Sequence, residues 1–430
     1  MAQLTASVFG FSPASSPPKS CLWPQVCPGT LPTGKPNWML NKSTIIMPCN
    51  NTGFTDPNTT LGWGIVDFDW SNAKGLGTAE GWAKHKPMDD EEMLFEQVKM
   101  TTAATPGTTV WVYRNTVYGY PWYTDVRRIL EDPAYAPWWL KFKPEGPWFS
   151  DKCDTANTSL CSDYYHSQEQ SPGFPHGDGD CAAPACDCGK VPCGFYVFNH
   201  SSTAVVNGQT FQEWFVHSYV LNEVGSSPLV SGFFWDDVWN PECNIHDQVK
   251  NTCEDMGLTK ADLAQLTNDY QANMQALQRA TLTVGKFAWQ MLWTGGAADN
   301  IGGTGIGPLV NKASCAADLR ALCAKDSPAQ TRAMAYGFTT PDPAQLPELE
   351  MDVANFLLSR GPYAWLGHGW RGCSRTYLFP PLLNTDFGEP VDQICAETTP
   401  GSSGVFVREW SKATVKVDCN TWTPTITMKL

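Results

Sequence analysis

The sequence predicts an α/β protein of the (β/α)8 TIM-type barrel class, carrying a Cys-rich insertion and a small C-terminal β-hairpin. Three observations carry this expectation. Eight short apolar runs rich in β-branched and aromatic residues recur along the chain, helical patterns lie between several of them, and 430 residues suit one such barrel with insertions.

The elements follow in order. Residues 1–40, rich in Pro, Ser and Gly and holding Cys21 and Cys27, read as an extended segment stapled to a barrel domain over 41–425. Strands are expected at 44–47 (TIIM), 63–70 (WGIVDFDW), 108–115 (TTVWVYRN), 193–199 (CGFYVFN) and 229–237 (LVSGFFWDD). Three more, at 286–293 (KFAWQMLW), 332–338 (RAMAYGF) and 363–370 (YAWLGHGW), complete eight. Within 258–280, Leu263, Leu266, Tyr270, Met274 and Leu277 recur at steps of three and four, which is one buried helix face. Thr259 and Asp262 open that helix as a capping box, and Gly285 follows its end. Further helices are expected at 89–102, 210–223 and 346–359. The insertion, 142–193, carries Cys153, Cys161, Cys181, Cys186, Cys188 and Cys193; residues 404–417 (GVFVREWSKATVKV) read as the terminal hairpin.

Composition excludes several classes. A net charge of −14 repels phosphate backbones and anionic lipid surfaces, so nucleic acid is not an expected partner. No apolar run approaches the roughly 18 residues of a bilayer span, and no membrane insertion is expected. The opening residues lack the pattern of a signal peptide, so the chain is expected to be a fragment, a mature form or one with unusual targeting. Sixteen cysteines fit an oxidising, secreted or extracellular setting with disulfides. The competing reading, a zinc site in CAAPACDCGKVPC, has spacings that match no zinc ribbon. Glycosylation triplets begin at Asn41, Asn50, Asn58, Asn157 and Asn199. The sequence has no heptads and sets no oligomeric state.

In such a barrel, chemistry sits at the carboxyl ends of the strands. The apolar run 229–235 ends in Asp236 and Asp237, and the second expected strand carries Asp67 and Asp69 on one face by the two-residue period. Glycoside hydrolysis uses two carboxyl groups across the scissile bond, one donating a proton and one acting as nucleophile or base. Adjacent strand residues diverge, so only one of Asp236 and Asp237 faces the barrel centre, its partner coming from Asp69 with Asp67 in support. The plainer reading of any one of these acids is a helix cap or an ion pair. For binding sugar, the candidates are Trp70, Tyr113, Arg114, Asn115, Asn199, His200, Trp235, Trp239, His368 and Trp370, aromatic faces and polar groups at strand ends. No cofactor and no resident metal are expected, although Asp67, Asp69 and Asp236 have the chemistry to hold a hard cation.

The combination GIVDFDW, VWVYRN followed by YPWY, GFFWDDVW, NTDFGEPVD and GVFVREWSKATVKV resembles the glycoside hydrolase-like barrel proteins, a loosely characterised secreted group. The resemblance spans about residues 44–425. It implies a (β/α)8 fold with Asp236, Asp237, Asp67 and Asp69 at the active-site positions. It also implies a terminal pattern of Asp386, Glu389 and Arg408 that reaches the site or seals the barrel. The expected activity is hydrolysis of an extracellular or cell-wall polysaccharide or oligosaccharide. Two alternatives stay open: a catalytically silent carbohydrate-binding or matrix protein on the same barrel, and a metal-dependent polysaccharide hydrolase or deacetylase.

Overall fold

The computed structural model describes residues 36, 38–41, 44–46, 53–68, 85–141, 187–191, 196–224, 227–236, 239, 256–290, 310–331, 334–338, 345–368 and 379–430. The strands, in chain order, are β1 (Thr44–Ile46), β2 (Ile65–Phe68), β3 (Thr109–Asn115), β4 (Tyr118–Gly119), β5 (Tyr196–Val197), β6 (Val205–Val206), β7 (Gln209–Thr210) and β8 (Val230–Asp236). They continue as β9 (Phe287–Gln290), β10 (Met334–Gly337), β11 (Ala364–His368), β12 (Ala396–Glu397), β13 (Val405–Glu409), β14 (Ala413–Asp418) and β15 (Thr423–Met428). The helices are α1 (Asp90–Ala104), α2 (Thr124–Glu131), α3 (Phe211–Glu213, running on as a π-helix over Trp214–Val224), α4 (Lys260–Thr283), α5 (Cys315–Leu322), α6 (Pro328–Thr331) and α7 (Leu349–Ser359).

Seven strands form one sheet in the order β10-β11-β1-β2-β3-β8-β9, every pairing parallel. The last strand of the sheet in sequence, β11, lies beside the first, β1, as a sheet that winds round on itself requires. Ring contacts show that it does. Trp365 on β11 and Phe287 on β9 are 5.4 Å apart between centroids, although five strand spacings, about 24 Å in a flat sheet, separate their strands. Trp111 on β3 completes the cluster, 5.3 Å from Trp365 and 5.9 Å from Phe287. These rings fill the concave side of a curled sheet. Among the described residues no pairing joins β9 to β10, so the sheet is strongly curled without a closed ring of strands.

Of the expected fourth strand, 193–199, residues 196–199 are described, and they are not part of this sheet. Tyr196–Val197 pairs antiparallel with Tyr118–Gly119, and β3 pairs directly with β8. The cause is a turn at the end of β3: Asn115 Oδ1 accepts hydrogen bonds from the backbone amides of Val117 and Tyr118 and reverses the chain into a side ribbon. Phe198 goes into aromatic packing there, stacked on Trp139 at 5.1 Å and against Phe211 at 4.6 Å.

The helices cover the convex face. Helix α4 opens with the expected capping box, Thr259 Oγ1 accepting from the Asp262 amide and Asp262 Oδ2 from the Thr259 amide. Thr210 and Glu213 repeat the device at α3. Helix α7 is buried nearly all round because it lies between two sheets. One is the curled sheet, where Tyr336 meets Phe356 at 5.9 Å. The other is a four-stranded antiparallel sheet, β12-β13-β14-β15, within which the expected hairpin forms the central pair. Phe406, Arg408, Val415 and Val417 are buried in that second sheet.

Arg408 joins the two parts. Its Nη1 donates to the carbonyls of Leu357, Leu358 and Arg360 at the end of α7, and Nη2 and Nε donate to Gln393 and Asp392. It therefore satisfies helix-end carbonyls and seals the sheets together. Asp386 pairs with Lys412, and the Glu389 backbone bonds Ser411, so both lie in the same C-terminal packing. Disulfides Cys315–Cys419 and Cys323–Cys395, with Cα separations of 5.5 and 5.2 Å, tie α5 and its C-cap to this sheet. Among the described residues no cysteine is free, and no helix is long and apolar enough to cross a membrane. Of the cysteines in CAAPACDCGKVPC, Cys181, Cys186 and Cys193 lie outside the described residues, while Cys188 is disulfide-bonded, as the disulfide reading expects.

Candidate active site

The ends of β3 and β8 meet in register, Asn115 opposite Asp236 and Tyr113 opposite Phe234. Alternation places Trp111, Tyr113 and Asn115 on one face, with Gly232, Phe234 and Asp236 beside them; the Trp111 ring cluster marks this as the concave face. Gly232 is required there. A Cβ on it would fall 2.7 Å from Trp111 Cε2, inside van der Waals contact.

Asp236 is held by a chain of donors. Tyr113 Oη donates to Asp236 Oδ2 at 2.6 Å. Asn115 Nδ2 donates both to Tyr113 Oη at 3.0 Å and to Tyr120 Oη at 2.7 Å. The two phenolic oxygens are 3.1 Å apart, and with the single Tyr113 hydroxyl proton directed at Asp236, Tyr120 is the donor between them. Asn115 is fixed in this orientation because its own Oδ1 accepts the two turn amides.

A second set of bonds fixes the backbone. Thr116 donates from both N and Oγ1 to the Asp236 carbonyl, at 2.9 and 3.0 Å. Tyr270 of α4 bonds Thr116 Oγ1 at 2.9 Å. His200 Nε2 donates to the Thr116 carbonyl at 2.7 Å, and its Nδ1 accepts from Asn273 Nδ2 at 3.0 Å. Both ring nitrogens are thus committed to structure, and burial pushes the imidazole down to about 4, against the opposing pull of the Thr116 bond and Asp269.

The remaining expected residues separate into four groups. Asp67 is buried on the concave face, level in register with Trp111 and four residues of strand below the Asn115–Asp236 pair. Arg114, Trp235 and His368 point to the opposite, helix-covered face. Arg114 lies 3.8 Å from Glu91 of α1, with Tyr123 and Tyr219 rings at 4.8 and 5.2 Å. Trp235 stacks on Phe233 and meets Phe215 of the π-helix, and His368 sits between Trp63 and Phe338. Asn199 bonds the Pro137 carbonyl and the Ser201 amide, and Trp239 is buried with Nε1 donating to Thr267 of α4. Asp69, Trp70, Asp237 and Trp370 lie outside the described residues.

Sequence reasoning passed over Tyr120, Thr116, Tyr270, Asn273 and Glu91. Tyr120 opens the motif YPWY, the one local signal; the others act through partners far away in the chain. Glu91 is buried, and desolvation outweighs the Arg114 guanidinium and the Asp125 amide, lifting its carboxyl to about 7.

No family model and no curated protein matches this chain. Among solved structures, it is similar to the acarbose-soaked Nostoc punctiforme debranching enzyme, at TM-score 0.39 and 10% identity over 90% of each chain. It is also similar to the ligand-free cyclic alpha-maltosyl-(1→6)-maltose hydrolase of Arthrobacter globiformis, at TM-score 0.39 and 11% identity, covering 92% of this chain and 98% of that one. A likeness of this size carries no argument about fold or reaction.

Proposed function

We propose that the protein is a glycoside hydrolase acting on an extracellular or cell-wall polysaccharide, with Asp236 as one of its two working carboxyl groups. The observation that carries this reading is the Asn115–Tyr120–Tyr113–Asp236 hydrogen-bond chain, built where two parallel strands end side by side on the concave face. On this reading the curled sheet is most of a (β/α)8 barrel, closing between β9 and β10, and its carboxyl end is the mouth of the site. The disulfides support an oxidising, extracellular setting.

Asp67 stands deeper on the same face and supports the floor of the site. The second working carboxyl is proposed at Asp69 or Asp237. Trp70 and Trp370 would be stacking platforms for sugar, while Tyr113 and Asn115, whose polar atoms bond each other, Tyr120, Asp236 and the turn amides, would order the site from below. Arg114, His200, Trp235, Trp239 and His368 serve the fold, as their burial and partners indicate.

The test is release of reducing ends from a panel of wall polysaccharides, with and without chelator. Hydrolysis that survives chelation and falls at least 1,000-fold in Asp236→Asn is the expected result. Retention of glycan without release would favour a silent carbohydrate-binding barrel, and loss on chelation a metal-dependent hydrolase.

A further inference from the structure

We infer that Tyr113 is a positioning residue that holds Asp236 as an anion, so that Asp236 takes the nucleophile-or-base half of the reaction and a different residue donates the proton. This rests on the glycosidase reading above.

The inference comes from the direction of the donors. A carboxylic acid serving as proton donor must point its own O–H at the leaving oxygen, and it is helped by an apolar setting that raises its proton affinity. Asp236 has the opposite surroundings. Its Oδ2 receives the Tyr113 proton at 2.6 Å, and Tyr113 is polarised in turn by two donors, Asn115 Nδ2 and the Tyr120 hydroxyl. Each bond lowers electron density on the next oxygen and so strengthens the final O–H···O− contact. Asn115 is an obligate donor on this side because its carbonyl oxygen is taken by the Val117 and Tyr118 amides.

In chemical terms, Asp236 gives an electron pair. As nucleophile it forms a bond to the anomeric carbon while the glycosidic C–O bond breaks, the leaving oxygen taking a proton from the second acid; water then attacks the anomeric carbon, giving its proton back to that second residue as the bond to Asp236 breaks and frees the carboxylate. As base it takes one proton from the attacking water as that water's oxygen bonds the anomeric carbon, the glycosidic C–O bond breaks and the leaving oxygen takes a proton from the second acid.

Two variants test this, Tyr113→Phe, which removes the donor, and Tyr120→Phe, which removes only its polarising neighbour and keeps the test alive if the first does not fold. Tyr113→Phe is expected to move the acid limb of the kcat/KM profile up by about one pH unit and to lower kcat about 10-fold or more, with KM changed less. Tyr120→Phe is expected to do the same to a smaller extent. The Asp236 carboxylate is also followed directly by 13C NMR titration of Asp-labelled protein, its signal identified by its loss in Asp236→Asn. Protonation of Asp236 at a higher pH in either variant supports the inference even where no glycan is hydrolysed, a result that would count against the glycosidase reading alone. Protonation at an unchanged pH in the variants that fold overturns the inference even where hydrolysis persists.

Discussion

Glu91 and His200 are buried groups whose titrations are pushed past each other in opposite directions. The Glu91 carboxyl rises from 4.5 to about 7, so folding favours its protonated form. That contribution is complete below about pH 4.5 and is lost as pH rises through 7. The His200 ring falls from 6.5 to about 4, so its contribution is complete above 6.5 and is lost as pH falls through 4. Replacing Glu91 by Gln should therefore remove a pH dependence. Between pH 5 and 8 the variant should gain on the wild type by on the order of 2 kcal/mol in urea unfolding, on top of a constant offset for exchanging the buried carboxyl for an amide. A pH-independent difference between the two proteins would show that Glu91 does not titrate in this range. At this scale much of the site was legible: alternation along TTVWVYRN puts Tyr113 and Asn115 on one face, and the apolar run into Asp236 marks a strand end. The same alternation turns Arg114 away. The role of His200 was hidden because its partners, Thr116 and Asn273, lie 84 and 73 residues along the chain.

Seven strands stand close to where their apolar runs suggest, and the helix over 258–280 keeps its capping box, because period and caps are local properties. The run at 193–199 misleads because an apolar stretch declares that it is buried but not against what. A turn made by Asn115 diverts it into an aromatic side ribbon. Close packing gives a further expectation for β8. Gly232→Ala would drive a methyl group into the Trp111 indole and should cost about 1–3 kcal/mol, with a loss of the near-ultraviolet dichroism of the Trp111, Phe287 and Trp365 cluster. A fully stable Gly232→Ala variant would mean that the indole has room to move.

The molecule as a whole couples a curled parallel sheet to a C-terminal antiparallel sheet through α7, Arg408 and two disulfides. The loops those disulfides close, 104 and 72 residues long, imply about 4 kcal/mol each in the chain-entropy account. Arg320 of α5 adds a paired bond to Glu397 of β12, at 2.7 and 2.9 Å. Reduction should therefore lower the thermal midpoint by several degrees and open the segment 396–430 to protease before the rest. Simultaneous loss of the entire chain would show that the two sheets unfold as one unit. This scaffold presents Asp236 at its strand ends, where the proposed glycosidase has one of its two working carboxyl groups. The most direct measurement is mass-spectrometric detection of oligosaccharide products from wall polysaccharides incubated with wild type and Asp236→Asn at equal folded concentration. Products from the wild type that fall at least 1,000-fold in the variant are predicted; equal product from both, or none from the wild type on any glycan, would contradict the account.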